Sequence, residues 1–154
     1  MAWAFVTAKT EPSLEARAMR LLARREHSRL ELARKLARIA AEGDDVEALL
    51  DKLAGKGWLS DARFAEHSVR ARARRFGPLK VAHELRCKGI GEETIEAAFR
   101  AAGIDGETDM QRVWSTRFSE RPLSDRERAR QVRFLQGRGF RLEDVLRFLR
   151  EAQP

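Results

Sequence analysis

"LRCKGI" at residues 85–90 and "LQGRGF" at 135–140 share one pattern: Leu, intervening residues, a cation, Gly, then a large apolar residue. A Gly that closes an amphipathic run takes the left-handed conformation easily, and the apolar residue after it packs back on the last helical turn. Lys88 and Arg138 stand where a helix C-terminus favours positive charge. Each hexapeptide therefore reads as the end of a helix, with Gly89 and Gly139 at positive φ.

The surroundings repeat as well. "GEETIEAAFRAA" follows Ile90 and "RLEDVLRFLREA" follows Phe140, both opening with acids. Ile95, Ala98 and Phe99 have i, i+3, i+4 spacing, as do Val145, Phe148 and Leu149. The matching set earlier in the chain is Val46, Leu49 and Leu50, with Leu53 one turn on. The helix before each turn repeats through Leu30, Ala33, Leu36, then Leu79, Ala82, Leu85, then Ala129, Val132, Leu135, at offsets of 49 and 50 residues. In the first copy Ala40 and Ala41 replace Gly and its apolar follower, and Gly43 with Asp44 is expected to make a different turn.

A third helix fits in front of each pair. Ser13 and Ser60 are candidate N-caps, and Thr108 with Gln111 forms a capping-box pattern. Ser28 with Glu31 and Ser124 with Glu127 make the same pattern before the middle helices, while Gly77-Pro78 places Pro at a first turn. The expectation is an all-α tandem repeat of three three-helix units, 13–57, 60–103 and 107–152, behind an arm at 1–12. Units of about 50 residues bury too little surface to be comfortably stable alone, so neighbours must touch, and the array is expected to be extended. Trp58 and Trp114 fall in core register. Trp3 and Phe5 precede the first cap and have no assigned place.

Composition agrees with helix. Of 154 residues, 36% are charged, against about 25% in an average soluble domain, and there is no Tyr. The net charge of +7 points to an acidic or polyanionic partner. A single cysteine, Cys87, excludes an internal disulfide framework and fits a reducing cytoplasm. No apolar run approaches the roughly 18 residues of a membrane span, and "MAWAFV" is too short for a signal-peptide core.

Residues 57–90, "GWLSDARFAEHSVRARARRFGPLKVAHELRCKGI", carry a family pattern. Gly57, an aromatic at 58, Leu59, Asp61, then Arg63-Phe64-Ala65, a basic helix, Gly77, and a Leu85…Lys88-Gly89-Ile90 ending resemble the RecX family, small regulators of the RecA recombinase. The resemblance spans about residues 14–152 and is strongest over 57–99. Trp58 stands where Tyr is usual, Ser60 where an acid is frequent, and Arg141 where Ser is common. The resemblance implies a non-enzymatic protein that binds the RecA–DNA filament and mainly inhibits its ATP hydrolysis, strand exchange and growth; a monomer is expected.

Other chemistry finds little support. His83 and Cys87 are i, i+4, half of a zinc site, but His27 and His67 lie elsewhere and no metal or other cofactor is expected. No oriented catalytic set and no phosphate-binding G-x-x-x-x-G-K-[ST] loop is present. At about 100° per residue, Arg63, Arg70 and Arg74 form one stripe and Arg126, Arg130 and Arg133 another. Few acids border them: Glu66 beside the first, Glu127 beside the second. With Lys80, Arg86, Lys88 and Arg138, these are the candidate partner or nucleic-acid contacts, against the alternative of a merely solvated face. Non-specific contact with single- or double-stranded DNA is compatible with them. A helix-turn-helix DNA-binding module, best represented by "RLELARKLARIAAEGDDVEALL", is the alternative function. Its recognition helices would begin Asp44-Asp45, Glu92-Glu93 and Glu143-Asp144, setting carboxylates against phosphates.

Overall fold

The computed structural model describes residues 10–104 and 106–151. Among them are nine helices and no strand: α1 (Leu14–Arg24), α2 (Arg29–Ala37), α3 (Val46–Gly55), α4 (Asp61–Arg72), α5 (Pro78–Cys87), α6 (Glu92–Ala102), α7 (Gly106–Ser115), α8 (Asp125–Gly137) and α9 (Leu142–Glu151). Trp3 and Phe5 lie outside the described residues.

Short polar side chains start the helices. The hydroxyls of Ser13, Ser28, Ser60 and Ser124 accept from the N–H groups of Ala16, Glu31, Arg63 and Glu127, and Asp45 does the same for Ala48. Each satisfies a donor the first turn would leave orphaned. Pro78 opens α5 as its sequence suggests. Two capping patterns differ in detail. Glu31 turns to Arg25 rather than back to its cap, and Glu127 Oε2 accepts from the N–H of Leu123, one residue before the cap. α7 begins at Gly106, so residue 108 lies within the helix and not before it.

The turns that end α5 and α8 are built alike. Gly89 and Gly139 have φ of 79° and 99°. The N–H groups of Ile90 and Phe140 reach back to the carbonyls of Leu85 and Leu135, and those of Gly89 and Gly139 to Arg86 and Gln136. This paired bonding is the Schellman turn, which satisfies carbonyls at a helix end. A third copy ends α3, with Gly57 at φ 76° and the Trp58 N–H bonded to Leu53 O. After α2 the chain instead turns through Gly43 at φ 89°, where Asp44 Oδ2 accepts from the Ala41 N–H.

Three buried clusters hold the helices. One joins Ala18, Leu32, Leu36, Leu49, Leu50, Leu53 and Leu59. A second joins Phe64, Ala65, Val69, Val81, Ala82, Leu85, Ile90, Ile95 and Ala98. The third joins Met110, Val113, Trp114, Leu135, Phe140, Val145, Phe148 and Leu149. The residues after each turn fill these clusters at the expected spacing.

Two core expectations are corrected. The middle helices bury Leu32, Val81 and Gln131, two residues after the positions named from the repeat; Leu30 and Leu79 are 36% and 46% exposed, and Ala129 is exposed. Trp58 is 42% exposed, because the turn at Gly57 hands the core place to Leu59. Its indole lies under Lys56 Nζ, 4.8 Å from the ring centroid.

Candidate partner-binding surface

The turns that end α5 and α8 each dock on the start of an earlier middle helix. Gly89 sits against Leu30 at the start of α2, so closely that a Cβ there would stand 2.8 Å from Leu30 Cβ. Gly139 sits against Lys80 on α5, where a Cβ would meet Lys80 Cβ at 2.4 Å. At this second joint, backbone bonds backbone: Gly77 N–H donates to Arg138 O at 2.7 Å and Leu79 N–H to Gly139 O at 3.0 Å. Gly77 is itself pressed on Gly139, with room for no side chain.

The first joint is tied by side chains. Asp61 Oδ1 accepts from the Arg29 N–H at 2.8 Å, and Arg63 pairs with Glu26 at 2.9 Å. Glu31 is the centre of this network. Arg25 binds its carboxylate in a forked contact, at 2.5 Å and 3.2 Å, with Lys35 and Lys88 each at 3.7 Å. Hydrogen bonding from Arg25, with the surrounding positive charge, holds Glu31 down at about 2 despite its burial. His27 is buried beside it, Nδ1 3.0 Å from Arg25 O and Nε2 3.0 Å from Lys35 Nζ. A carbonyl only accepts and an ammonium only donates, so the proton sits on Nδ1. Burial keeps this imidazole below the usual histidine range.

The ten candidate basic residues divide by partner. Four are committed to carboxylates: Arg63 to Glu26, Arg70 to Glu66 at 2.6 Å, Arg86 to Glu92, and Lys88 to Glu31. Three rest on aromatic rings: Lys80 and Arg138 on Phe76, and Arg130 on Phe118. Arg74, Arg126 and Arg133 are exposed and take part in no ion pair among the described residues. The stripe on α4 is thus mostly neutralised inside the fold, and the stripe on α8 is not.

Around α7 and α8 the rings and cations interleave. Phe134 meets Phe118 edge-on at 5.3 Å, and Arg117 and Arg138 lie over Phe134 at 5.6 Å and 5.3 Å. Arg121 is half-buried over Trp114 and Phe148, donates to Phe148 O at 2.8 Å, and is lowered by burial. Its contacts tie α7 to α9. His83 Nε2 lies 3.7 Å from Cys87 Sγ, but no group of three or more His, Cys, Asp or Glu that could hold a metal exists among the described residues. None of the described helices is long and apolar enough to cross a membrane.

Residues 16–53 match the first three-helix domain of RecX, and residues 60–98 match the second. The regulatory protein RecX of Herminiimonas arsenicoxydans is 46% identical over 133 residues, covering 86% of this chain and 88% of the relative. That of Ralstonia nicotianae is 44% identical over 140 residues, covering 91% and 88%. This chain belongs to the RecX family. Crystal structures share the fold at low identity. One of regulatory protein RecX has a TM-score of 0.71 at 23% identity, covering 90% of this chain and 73% of that one. RecX from Lactobacillus salivarius has a TM-score of 0.69 at 20%, covering 90% and 93%.

Within this RecX-family chain, Arg63, Arg70, Arg74, Lys80, Arg86 and Lys88 fall in the second matched domain. Arg126, Arg130, Arg133 and Arg138 lie beyond both matches. Sequence reasoning missed Arg75 and Arg117, which join the ring–cation band, and Gln131, which is buried under it. The signal for Gln131 was its register with Leu32 and Val81.

Proposed function

We propose that this protein is a non-enzymatic regulator that binds the RecA–DNA filament and mainly inhibits its ATP hydrolysis, strand exchange and recombination activity. It works in the cytoplasm as a monomer without a cofactor. The observation that carries this reading is the match, over most of the chain, to relatives named regulatory protein RecX. Three separate hydrophobic clusters support a division into units at 13–57, 60–103 and 107–152. Such a chain of units suits a helical polymer, because each unit can meet a different subunit.

The working surface in this reading is basic, and the free cations of α8 with Arg74 are its strongest part. An anionic filament attracts such a surface in a salt-dependent way. Sequence-specific helix-turn-helix readout is disfavoured, since acids open α6 and α9 and Asp45 with Glu47 opens α3.

The test is single-strand-DNA-stimulated ATP hydrolysis by RecA, with the parent and a variant in which Arg70, Arg74, Arg126, Arg130 and Arg133 are all Gln. The parent slows hydrolysis. The variant melts nearly as the parent does, since exposed substitutions cost under about 0.5 kcal/mol each, yet inhibits weakly and with a flatter salt dependence. Full inhibition by the variant at every salt concentration rejects the basic surface.

A further inference from the structure

The two joints carry opposite chemistry at matching positions. By the offsets of the repeat, Glu31 corresponds to Lys80, Lys88 to Arg138 and His27 to Phe76. At the first joint Glu31 faces Lys88, an acid against a base at 3.7 Å. At the second joint both members are cations. Lys80 Nζ and the Arg138 guanidinium rest on the same ring, 4.3 Å and 5.6 Å from the Phe76 centroid. Their backbones are held together, since Gly139 packs on Lys80 and Gly77 bonds Arg138 O.

A ring face attracts each cation singly but does nothing to relieve their mutual repulsion. No ion pair joins Lys80 or Arg138 to a carboxylate among the described residues. The acid one turn along α5, Glu84, feels the charge of Lys80 but accepts its hydrogen bonds, of 2.8 Å and 3.0 Å, from Arg72. Arg75 adds a further exposed cation at Phe76, and Arg138 also reaches Phe134, over which Arg117 lies. An anion placed between Lys80 and Arg138 would supply the charge that Glu31 supplies at the first joint.

We propose that the second joint is a phosphate site, at which Lys80 and Arg138 hold one phosphate of a nucleic-acid strand while Arg75 and Arg117 meet its neighbours. This rests on the reading that the protein works on a DNA-containing filament, and it names the contact. Cations already lie over Phe76 and Phe134, so bases do not stack on these rings. Binding is therefore through the backbone, indifferent to sequence and strongly dependent on salt.

Lys80→Glu tests the site, because it gives the second joint the acid–base pair of the first. Fluorescence anisotropy of the full chain with labelled oligo-thymidylate is measured across a salt series. The variant is expected to melt at the parent's temperature or above, to bind at least tenfold more weakly, and to show a log–log salt slope shallower by about 1.4, two contacts' worth. If Lys80→Glu fails to fold, Arg138→Gln, with helicity checked by circular dichroism, takes its place. A variant that binds like the parent, or a parent that does not bind, overturns the site. Inorganic phosphate at matched ionic strength is the second arm. If it stabilises the parent and oligo-thymidylate adds nothing, the site takes the free ion and the nucleic-acid assignment is overturned. RecA inhibition is read in parallel. A parent that binds oligo-thymidylate at this site but leaves RecA unaffected overturns the regulatory reading and not the phosphate site.

Discussion

Leu30 fills the space that a side chain at residue 89 would need: a Cβ on Gly89 would stand 2.8 Å from Leu30 Cβ and 2.9 Å from its Cδ2. Leu30 is thus partly exposed for a reason. It is the seat of the α5 turn, and not a member of the first core.

Gly89 and Gly139 therefore answer to two constraints, positive φ and close approach, whereas Gly57 answers only to the first. Gly57→Ala is expected to cost about 1–2 kcal/mol, the left-handed penalty alone. Gly139→Ala is expected to cost about 1–3 kcal/mol more, because its obstacle is the backbone of Lys80. Gly89→Ala falls between them, since a side chain can yield. Urea denaturation of the three variants gives the order; equal losses at all three would show that the joints are not close-packed.

Gln131 sits where the other middle helices bury Leu32 and Val81. Its Oε1 accepts from Trp114 Nε1–H at 2.8 Å, and its Nε2 donates to Glu120 O at 3.0 Å. Gln131→Leu restores the apolar repeat and orphans a buried indole N–H. The expected result is a loss of about 1–3 kcal/mol in spite of the added hydrophobicity. A gain in melting temperature would contradict it.

Trp58 is the opposite case. A core tryptophan cut to Ala costs about 3–5 kcal/mol. Trp58→Ala, at a half-exposed ring under Lys56, is expected to cost about 1 kcal/mol or less. Denaturation midpoints of this variant and of Trp114→Ala should separate widely.

Acid should weaken the first joint in two stages. The unfolded chain protonates His27 near its ordinary 6.5, and the folded chain resists, so stability falls as pH drops below 6.5. The contribution of Glu31 is complete above its ordinary 4.5 and is lost as pH falls from there toward about 2. Denaturation midpoints against pH should show both stages, with His27→Gln flattening the upper and Glu31→Gln the lower. An unchanged lower stage in Glu31→Gln would remove that carboxylate from the account.

The hexapeptides made the helix ends legible because a Gly-then-apolar pair has few other uses, and the cap serines were legible for the same reason. Burial on the middle helices was less so. Leu30 is apolar where a neighbouring turn rests on that end of its helix, and an apolar residue looks alike whether it faces its own core or a joint. Trp58 follows the same logic, since a turn that passes its core place one residue along keeps the pattern and moves the ring. The basic stripes were visible as periodicity, but Glu26, the partner of Arg63, is 37 residues away. Pairing at that range is set by the docking of units, which no local spacing encodes.

The two joints differ in what holds them, and so in how they would yield to force. Between α5 and the α8 turn the ties are amide to carbonyl, bonds that neither salt nor acid breaks. Around the start of α2 they are chiefly charged side chains: Lys88 of the α5 turn on Glu31, and from α4 Arg63 on Glu26 and Asp61 on the Arg29 backbone N–H. Pulled from its ends, the molecule should part first at the α2 side, at a lower load in concentrated salt, while the other joint keeps its strength. It has one compliant link and one stiff one, and ionic strength weakens only the first.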